Sequence, residues 1–338
     1  MTANDQARHA PVILLSDQAA EHLGPAMARL FQDQPYRIAS PSDPSNADGS
    51  YDVDIAFISR DVTGKSSKSV LTDTLLRYYD ILRNAPRLAW VHGHSAGADR
   101  PIYPELRARG VTVTTSSGAN AEAVAQMILT GLLALNRRLP DLMDAQRRSA
   151  WEPLLGQRAP RDLAGQTALI VGLGPIGQEA ARLLKMLRMQ VIGVRRSETA
   201  TPHCDRVLPF GRLDEALPQA DWLILACPLT DQTRGLFDAA RIALLPAGAF
   251  VVNVARGEVA VEHDLAAALA SGALGGAFLD VFETEPLAPQ SPLWGSHNVM
   301  ISPHSAGHTS GHYAAVGDIF LDNLARWRDG QPMRNLMP

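Results

Sequence analysis

The chain has 338 residues, of which 46% are hydrophobic and 20% charged, and its formal net charge is −4. This is an ordinary composition for a globular protein of two domains, and it offers no broad basic surface to nucleic acid. Two cysteines, Cys204 and Cys227, are too few for a disulfide framework or a cysteine zinc site, so no metal is expected.

Met1–Ala10 is polar and lacks an apolar core, so neither a signal nor a transit peptide is expected. No apolar run approaches the roughly 20 residues of a membrane span, and a cytoplasmic location is expected. Pro11–Leu15 reads as an opening strand and Ala20–Phe31 as a helix. Ser40–Tyr51 is rich in turn residues. Val53–Ser59 is a second strand, Leu71–Arg83 a helix, Leu88–Val91 a third strand and Val111–Val113 a fourth. Alternation of strands and helices implies a parallel α/β unit over residues 1–117.

Ligands of such sheets sit beyond the carboxyl ends of the strands. The stretch His92-Gly-His-Ser-Ala-Gly97 follows the third strand, and its backbone N–H groups at Ala96 and Gly97 suit a small anion. Arg60 also ends a strand and suits the same role. Each also has a plainer reading, as a turn and a surface cation. Ala119–Leu139 is a long helix, apolar nearly all round, so both faces are expected to be buried. Trp151 stands in a polar loop with no assigned role beyond an interface or substrate contact.

The stretch Thr167–Arg196, TALIVGLGPIGQEAARLLKMLRMQVIGVRR, organises the rest. A short apolar strand leads into Gly172-Leu-Gly174-Pro175-Ile176-Gly177. Gly172 permits a tight turn, Gly174 lets the backbone approach a pyrophosphate, and Gly177 lets a helix pack on the strand. The N–H groups at the helix start suit the pyrophosphate. Ala180, Leu183, Leu184 and Leu187 give that helix an apolar stripe.

An NAD site usually places an acid after the second strand, to accept from the ribose 2′-OH. Here Arg195, Arg196 and Ser197 stand there instead. A guanidinium makes charge-assisted bonds to a 2′-phosphate, each contributing about 1.5–3 kcal/mol, so NADP is expected over NAD by about tenfold or more. Further strands at Trp222–Ala226, Phe250–Val254, Ala277–Val281 and Val299–Ile301 complete a doubly wound sheet. Gly311–Arg328 is an amphipathic helix returning to the first domain. The expected fold is therefore α/β, with a Rossmann domain (118–306) inserted into a flavodoxin-like substrate domain (1–117), and 307–338 rejoining the latter.

Arg256, Glu285 and His304 all follow carboxyl ends of strands in that sheet. Hydride transfer to a carbonyl needs an acid for the new alkoxide and a cation to polarise the carbonyl. His304 suits the first role because imidazole titrates near neutral pH. A carboxylate beside it, Glu285, would favour its charged form and fix its tautomer. Arg256 offers a permanently charged planar fork that matches a 2-keto acid.

These residues fall in stretches that resemble the D-isomer-specific 2-hydroxyacid dehydrogenase family, which includes glyoxylate/hydroxypyruvate reductases. The stretches are SAGAD (Ser95–Asp99), GLGPIG (Gly172–Gly177), PLTDQTRGL (Pro228–Leu236), VNVARGEV (Val252–Val259), FLDVFETEPL (Phe278–Leu287) and SPHSAG (Ser302–Gly307). The resemblance implies that Arg256 binds the substrate carboxylate and keto oxygen, and that His304 exchanges the proton with Glu285 as its partner. Asp280 and the backbone near Val254 would meet the nicotinamide carboxamide. Cys227, Pro228, Thr233, His304 and Gly307 would flank the cofactor, and Ser95, Ala96 and Gly97 the substrate. It also implies a homodimer with helix 119–139 in its interface.

Departures are Gln126 for a common glutamate in that helix and Arg195 for the usual acid. No regulatory domain is expected after Pro338, and Glu285 stands where formate dehydrogenases carry Gln. The expected activity is NADPH-preferring reduction of a small 2-keto acid. The alternatives are a nicotinamide-sensing corepressor-like binding protein and a phosphite-type dehydrogenase of the same superfamily.

Overall fold

A computed structural model of the protein describes residues 10–64, 71–97 and 100–337. The expectation for Met1–Ala10 falls outside them for all but Ala10, as do Ala98 and Asp99 of the SAGAD stretch. The chain divides into two compact units, Met1–Ala119 with Ser310–Pro338, and Asn120–Thr309.

The first unit is built on five parallel strands: β1 (Val12–Leu14), β2 (Arg37–Ala39), β3 (Ile55–Ile58), β4 (Trp90–Gly93) and β5 (Thr112–Thr115). Their order, β2-β1-β3-β4-β5, is the flavodoxin-like one. Its helices are α1 (Asp17–Phe31), α2 (Arg60–Thr63), α3 (Asp73–Arg83) and α4 (Ile102–Ala108). Ser16 caps α1 by accepting the Ala19 N–H at 3.0 Å, and Ala19, Leu23, Met27 and Phe31 bury one face of that helix. Strand β2 has no counterpart in the sequence reading. It is three residues long and graded from exposed to buried, so only its pairing with β1 reveals it.

The second unit holds helices α5 (Ala121–Asn136), α6 (Leu139–Arg147), α7 (Pro175–Met186), α8 (Leu213–Ala216), α9 (Ala239–Ile242) and α10 (Glu262–Ser271). Its seven parallel strands are β6 (Thr167–Val171), β7 (Gln190–Arg195), β8 (Arg206–Pro209), β9 (Trp222–Leu225), β10 (Ala249–Asn253), β11 (Leu274–Leu279) and β12 (Val299–Ile301). The order β12-β11-β10-β9-β6-β7-β8 winds outward both ways from β6, as in a Rossmann sheet. Central strands such as β6 and β9 are buried on both faces and so read as unbroken apolar runs.

The single helix expected at 119–139 is two. Arg138 adopts a left-handed conformation (φ 53°) and Pro140 opens α6, which together end α5 at Asn136. Helix α5 keeps a polar stripe at Glu122, Gln126 and Thr130, all exposed, and packs against α7 and the sheet. In this stretch the exposed large apolar side chains lie instead on and after α6, at Leu139, Leu142, Met143, Trp151 and Leu155.

Helix α11 (His312–Arg328) belongs to the first unit. Val316, Phe320 and Leu324 recur every four residues and join the core made by α1, β1 and β3. The Phe320 ring stacks on Phe57 at 4.8 Å and on Trp90 at 5.5 Å. Among the described residues no helix is long and apolar enough to cross a membrane, and no three His, Cys, Asp or Glu side chains group as metal ligands.

Two imidazoles are enclosed in the first unit. Ser116 Oγ donates to Gly93 O, so His92 Nε2–H donates to Ser116 Oγ at 2.9 Å. Trp90 Nε1–H donates to Thr114 Oγ1, whose own proton goes to His92 Nδ1 at 2.7 Å. This relay holds a neutral ring, and burial, with His94 nearby, pushes its pKa down to about 3. Burial, then Arg60, pushes His94 down to about 4.

Unfolding releases both rings to titrate near 6.5. Stability is therefore whole above that pH and falls as pH drops toward 4, by up to about 1.4 kcal/mol per pH unit for each ring. Urea midpoints measured from pH 7 to 5 will fall less steeply in His92→Gln than in the wild type. Parallel slopes would refute this account.

Candidate functional site

The second unit gathers its chemistry at the carboxyl ends of its strands. Gly172, following β6, has φ +104° and donates its N–H to Val194 O at 2.8 Å. A Cβ there would lie 2.6 Å from Cys227 N, so the turn runs against the start of the loop after β9. At Gly177 a Cβ would meet Gly172 O at 1.9 Å, so α7 can rest on the turn only through glycine. Gly174 caps α7, Pro175 takes its first position, and a Cβ at Gly174 would project into open space. Ile176 is half-buried beneath this turn.

The N–H groups of the first turn of α7 thus border an open cradle, which fits a dinucleotide pyrophosphate. Arg195, the last residue of β7, is half-buried and donates to Thr201 Oγ1 at 3.3 Å, while Arg196 and Ser197 beyond it are exposed. Ser197 Oγ lies 3.1 Å from Thr199 Oγ1.

Cys227 is buried, and burial pushes its thiol pKa up to about 11, so it is a neutral wall. Thr233 is buried with its hydroxyl turned inward, donating to Pro228 O at 2.7 Å and accepting from Thr230 N at 2.8 Å. It shapes the turn after β9 and has no donor left over. Val254 is buried, and Gly307 lies against the Asn120 side chain.

Arg256, Glu285 and His304 come together. His304 Nδ1 lies 2.8 Å from Glu285 Oε2, and Glu285 Oε1 accepts the Phe282 N–H at 3.2 Å. Burial works against ionisation of Glu285, but the bond to His304, its charge and that of Arg256 hold the carboxyl below its usual range. The turn bearing Arg256 is set by Asn253, whose Oδ1 accepts Ala255 N at 3.1 Å and whose Nδ2 donates to Arg256 O at 3.3 Å. Arg256 Nη1 donates to Ala255 O at 2.7 Å.

Gly257 closes on the backbone of Phe282 and Glu283, where a Cβ would lie 1.8 Å from Phe282 C. Glu262 and Glu283 then exchange bonds, each carboxylate accepting the other's N–H, at 2.9 and 3.1 Å. Asn253 and Gly257 stand inside VNVARGEV without a sequence-based role. Their part is to present Arg256 beside Glu285, which shows only in three dimensions.

The remaining expected residues lie in the first unit. Ser95 Oγ donates to Gly97 O at 2.6 Å, shaping the turn through Ala96, and Ser95 O accepts Ser116 N. Arg60 does not end β3; it opens α2, after Ser59 and its 2.6 Å bond to Asp61.

A sheet of Rossmann order with a glycine cradle, and a histidine–carboxylate pair beside an arginine, define a dinucleotide-dependent oxidoreductase. The profile described as D-isomer specific 2-hydroxyacid dehydrogenase, NAD binding domain, matches residues 129–306. The chain is 33% identical over 260 residues to a glyoxylate reductase of Thermococcus gammatolerans, covering 75% of this chain and 77% of that one.

Among solved structures, a D-isomer specific 2-hydroxyacid dehydrogenase family protein of Aeromonas salmonicida superposes with a TM-score of 0.76. It is 30% identical, with 97% of this chain and 99% of that one covered. An NADPH-dependent glyoxylate/hydroxypyruvate reductase of Sinorhizobium meliloti, in complex with NADP and sulfate, gives 0.75 at 28% identity, covering 97% and 98%. The chain belongs to the D-isomer specific 2-hydroxyacid dehydrogenase family.

Replacing Gly257 by Ala overfills a contact between backbones that cannot yield by rotamer change. It will cost at least about 1–3 kcal/mol and lower the thermal midpoint by several degrees. A variant that melts with the wild type would contradict the observed contact.

Proposed function

We propose that the protein reduces a small 2-keto acid, glyoxylate or hydroxypyruvate, to the D-2-hydroxy acid, with NADPH preferred as reductant. The observation that carries this reading is the 2.8 Å contact between His304 Nδ1 and Glu285 beside Arg256. Nδ1–H donates to the carboxylate, which leaves Nε2 as the nitrogen that exchanges a proton. Bound nicotinamide supplies a hydride to C2 of the keto acid. The Arg256 fork holds the carboxylate and polarises the carbonyl. As the C2–O double bond becomes a single bond, its oxygen takes the proton from His304 Nε2, and Glu285 stabilises the charged ring. Ser95–Gly97 and Arg60 remain proposed contacts of the substrate.

The preference for NADPH rests on Arg195 and Arg196, with Ser197, where an acid would repel a 2′-phosphate. The relatives named above include enzymes titled for the same reaction and cofactor. A homodimer is proposed as well, with the exposed apolar side chains on and after α6 as its face; a monomeric mass by light scattering would end that part.

The test is turnover of NADPH and NADH with glyoxylate, hydroxypyruvate, pyruvate and phenylpyruvate. Glyoxylate or hydroxypyruvate is expected to lead, and no turnover with any pair would overturn the proposal. His304→Gln will lower kcat by about 10²–10⁴-fold, whereas an unchanged rate would remove His304 from its role. Replacing both Arg195 and Arg196 by Ala will cut kcat/KM for NADPH by about tenfold or more and spare NADH. Equal losses with both cofactors would show that the arginines do not read the phosphate.

A further inference from the structure

Asp280 directly follows β11 and is only 3% exposed. A buried carboxylate persists where hydrogen bonds replace its hydration. Its Oδ1 accepts the N–H groups of Ser305 at 2.8 Å and Ala306 at 3.0 Å, and Oδ2 accepts Ala306 N at 3.2 Å. The Asp280 carbonyl accepts the N–H of His304 itself at 2.8 Å. Asp280 N donates to Asn253 O, which ties the same residue to the strand that ends at the Arg256 turn. His304 sits in the left-handed region, φ +50°, which few non-glycine residues adopt.

Three consecutive N–H groups, from 304 to 306, therefore point at one residue. We propose that Asp280 is the positioning residue of the His304 imidazole: its carboxylate and carbonyl gather residues 304–306 and hold His304 in the conformation that presents Nδ1 to Glu285. This rests on His304 as the proton donor, and it gives Asp280 a task other than the nicotinamide contact that the resemblance implies.

The carboxylate accepts two N–H groups, with that of Ala306 shared between its oxygens, so both oxygens face donors. Asparagine offers one oxygen and turns an NH₂ group toward the Ala306 N–H. In Asp280→Asn the chain segment at 304–306 loosens, and the Nδ1–H···Glu285 bond is lost for much of the time.

The experiment compares the wild type with Asp280→Asn and Asp280→Glu. Steady-state kinetics with NADPH and glyoxylate should show kcat lowered at least tenfold in Asp280→Asn, whatever the change in KM for NADPH. In the unliganded protein, the downfield Nδ1–H resonance of ¹⁵N-histidine-labelled His304 should disappear in Asp280→Asn. A kcat within twofold of the wild type, or a change confined to KM for NADPH, overturns the proposal. If neither variant folds, amide exchange in the wild type decides. Slow exchange at Ser305 and Ala306 supports the clamp, and unprotected rates end it. Were the wild type to turn over no keto acid, the functional reading would fail while the resonance and the exchange rates still judged the clamp.

Discussion

The site depends on backbone meeting backbone without an intervening side chain. Gly177 lies on the carbonyl of Gly172, and Gly257 lies on the peptide joining Phe282 to Glu283. The first contact sets α7 on the strand that it follows and opens the cradle at Gly174. The second brings the Arg256 turn against the loop that carries Glu285. No rearrangement of side chains can relieve either contact, because both partners are main chain. The candidate side chains therefore start from positions that the sheet sets.

Polar side chains then complete what the glycines allow. Asn253 ends β10 and bonds to both sides of the Arg256 turn, and Glu262, at the start of α10, is cross-linked to Glu283 in the loop that follows β11. Each saturates N–H or C=O groups that a strand leaves open when it stops. Main-chain polar groups are costly when unpaired, and at these sheet ends side chains supply part of the partners.

Much of this was legible in the amino-acid order. The Gly172–Gly177 turn between apolar strands is a local pattern, and local patterns survive without coordinates. The strands ending before Arg256 and Asp280 were recognisable because both of their faces are largely buried, whereas β12, before His304, is only half-buried and shows as a short apolar run. What stayed hidden depends on partners far along the chain. Strand β2 is identifiable only through β1. The break between α5 and α6 turns on Arg138, a residue with no intrinsic liking for a left-handed conformation. Thr233 sits in a motif shared with cofactor-contacting loops, but its hydroxyl direction is fixed by Pro228 and Thr230 and could not be read from composition.

The first unit takes its strands from the beginning of the chain and a core helix from its final thirty residues. The ring stack of Phe57, Trp90 and Phe320 cannot assemble until α11 exists. During synthesis the segment from Asn120 to Thr309 is entirely available before that helix emerges from the ribosome. The domain that is started first is therefore finished last, and its half-made sheet must wait, with the face meant for Phe320 uncovered, while an entire second domain is translated and folds.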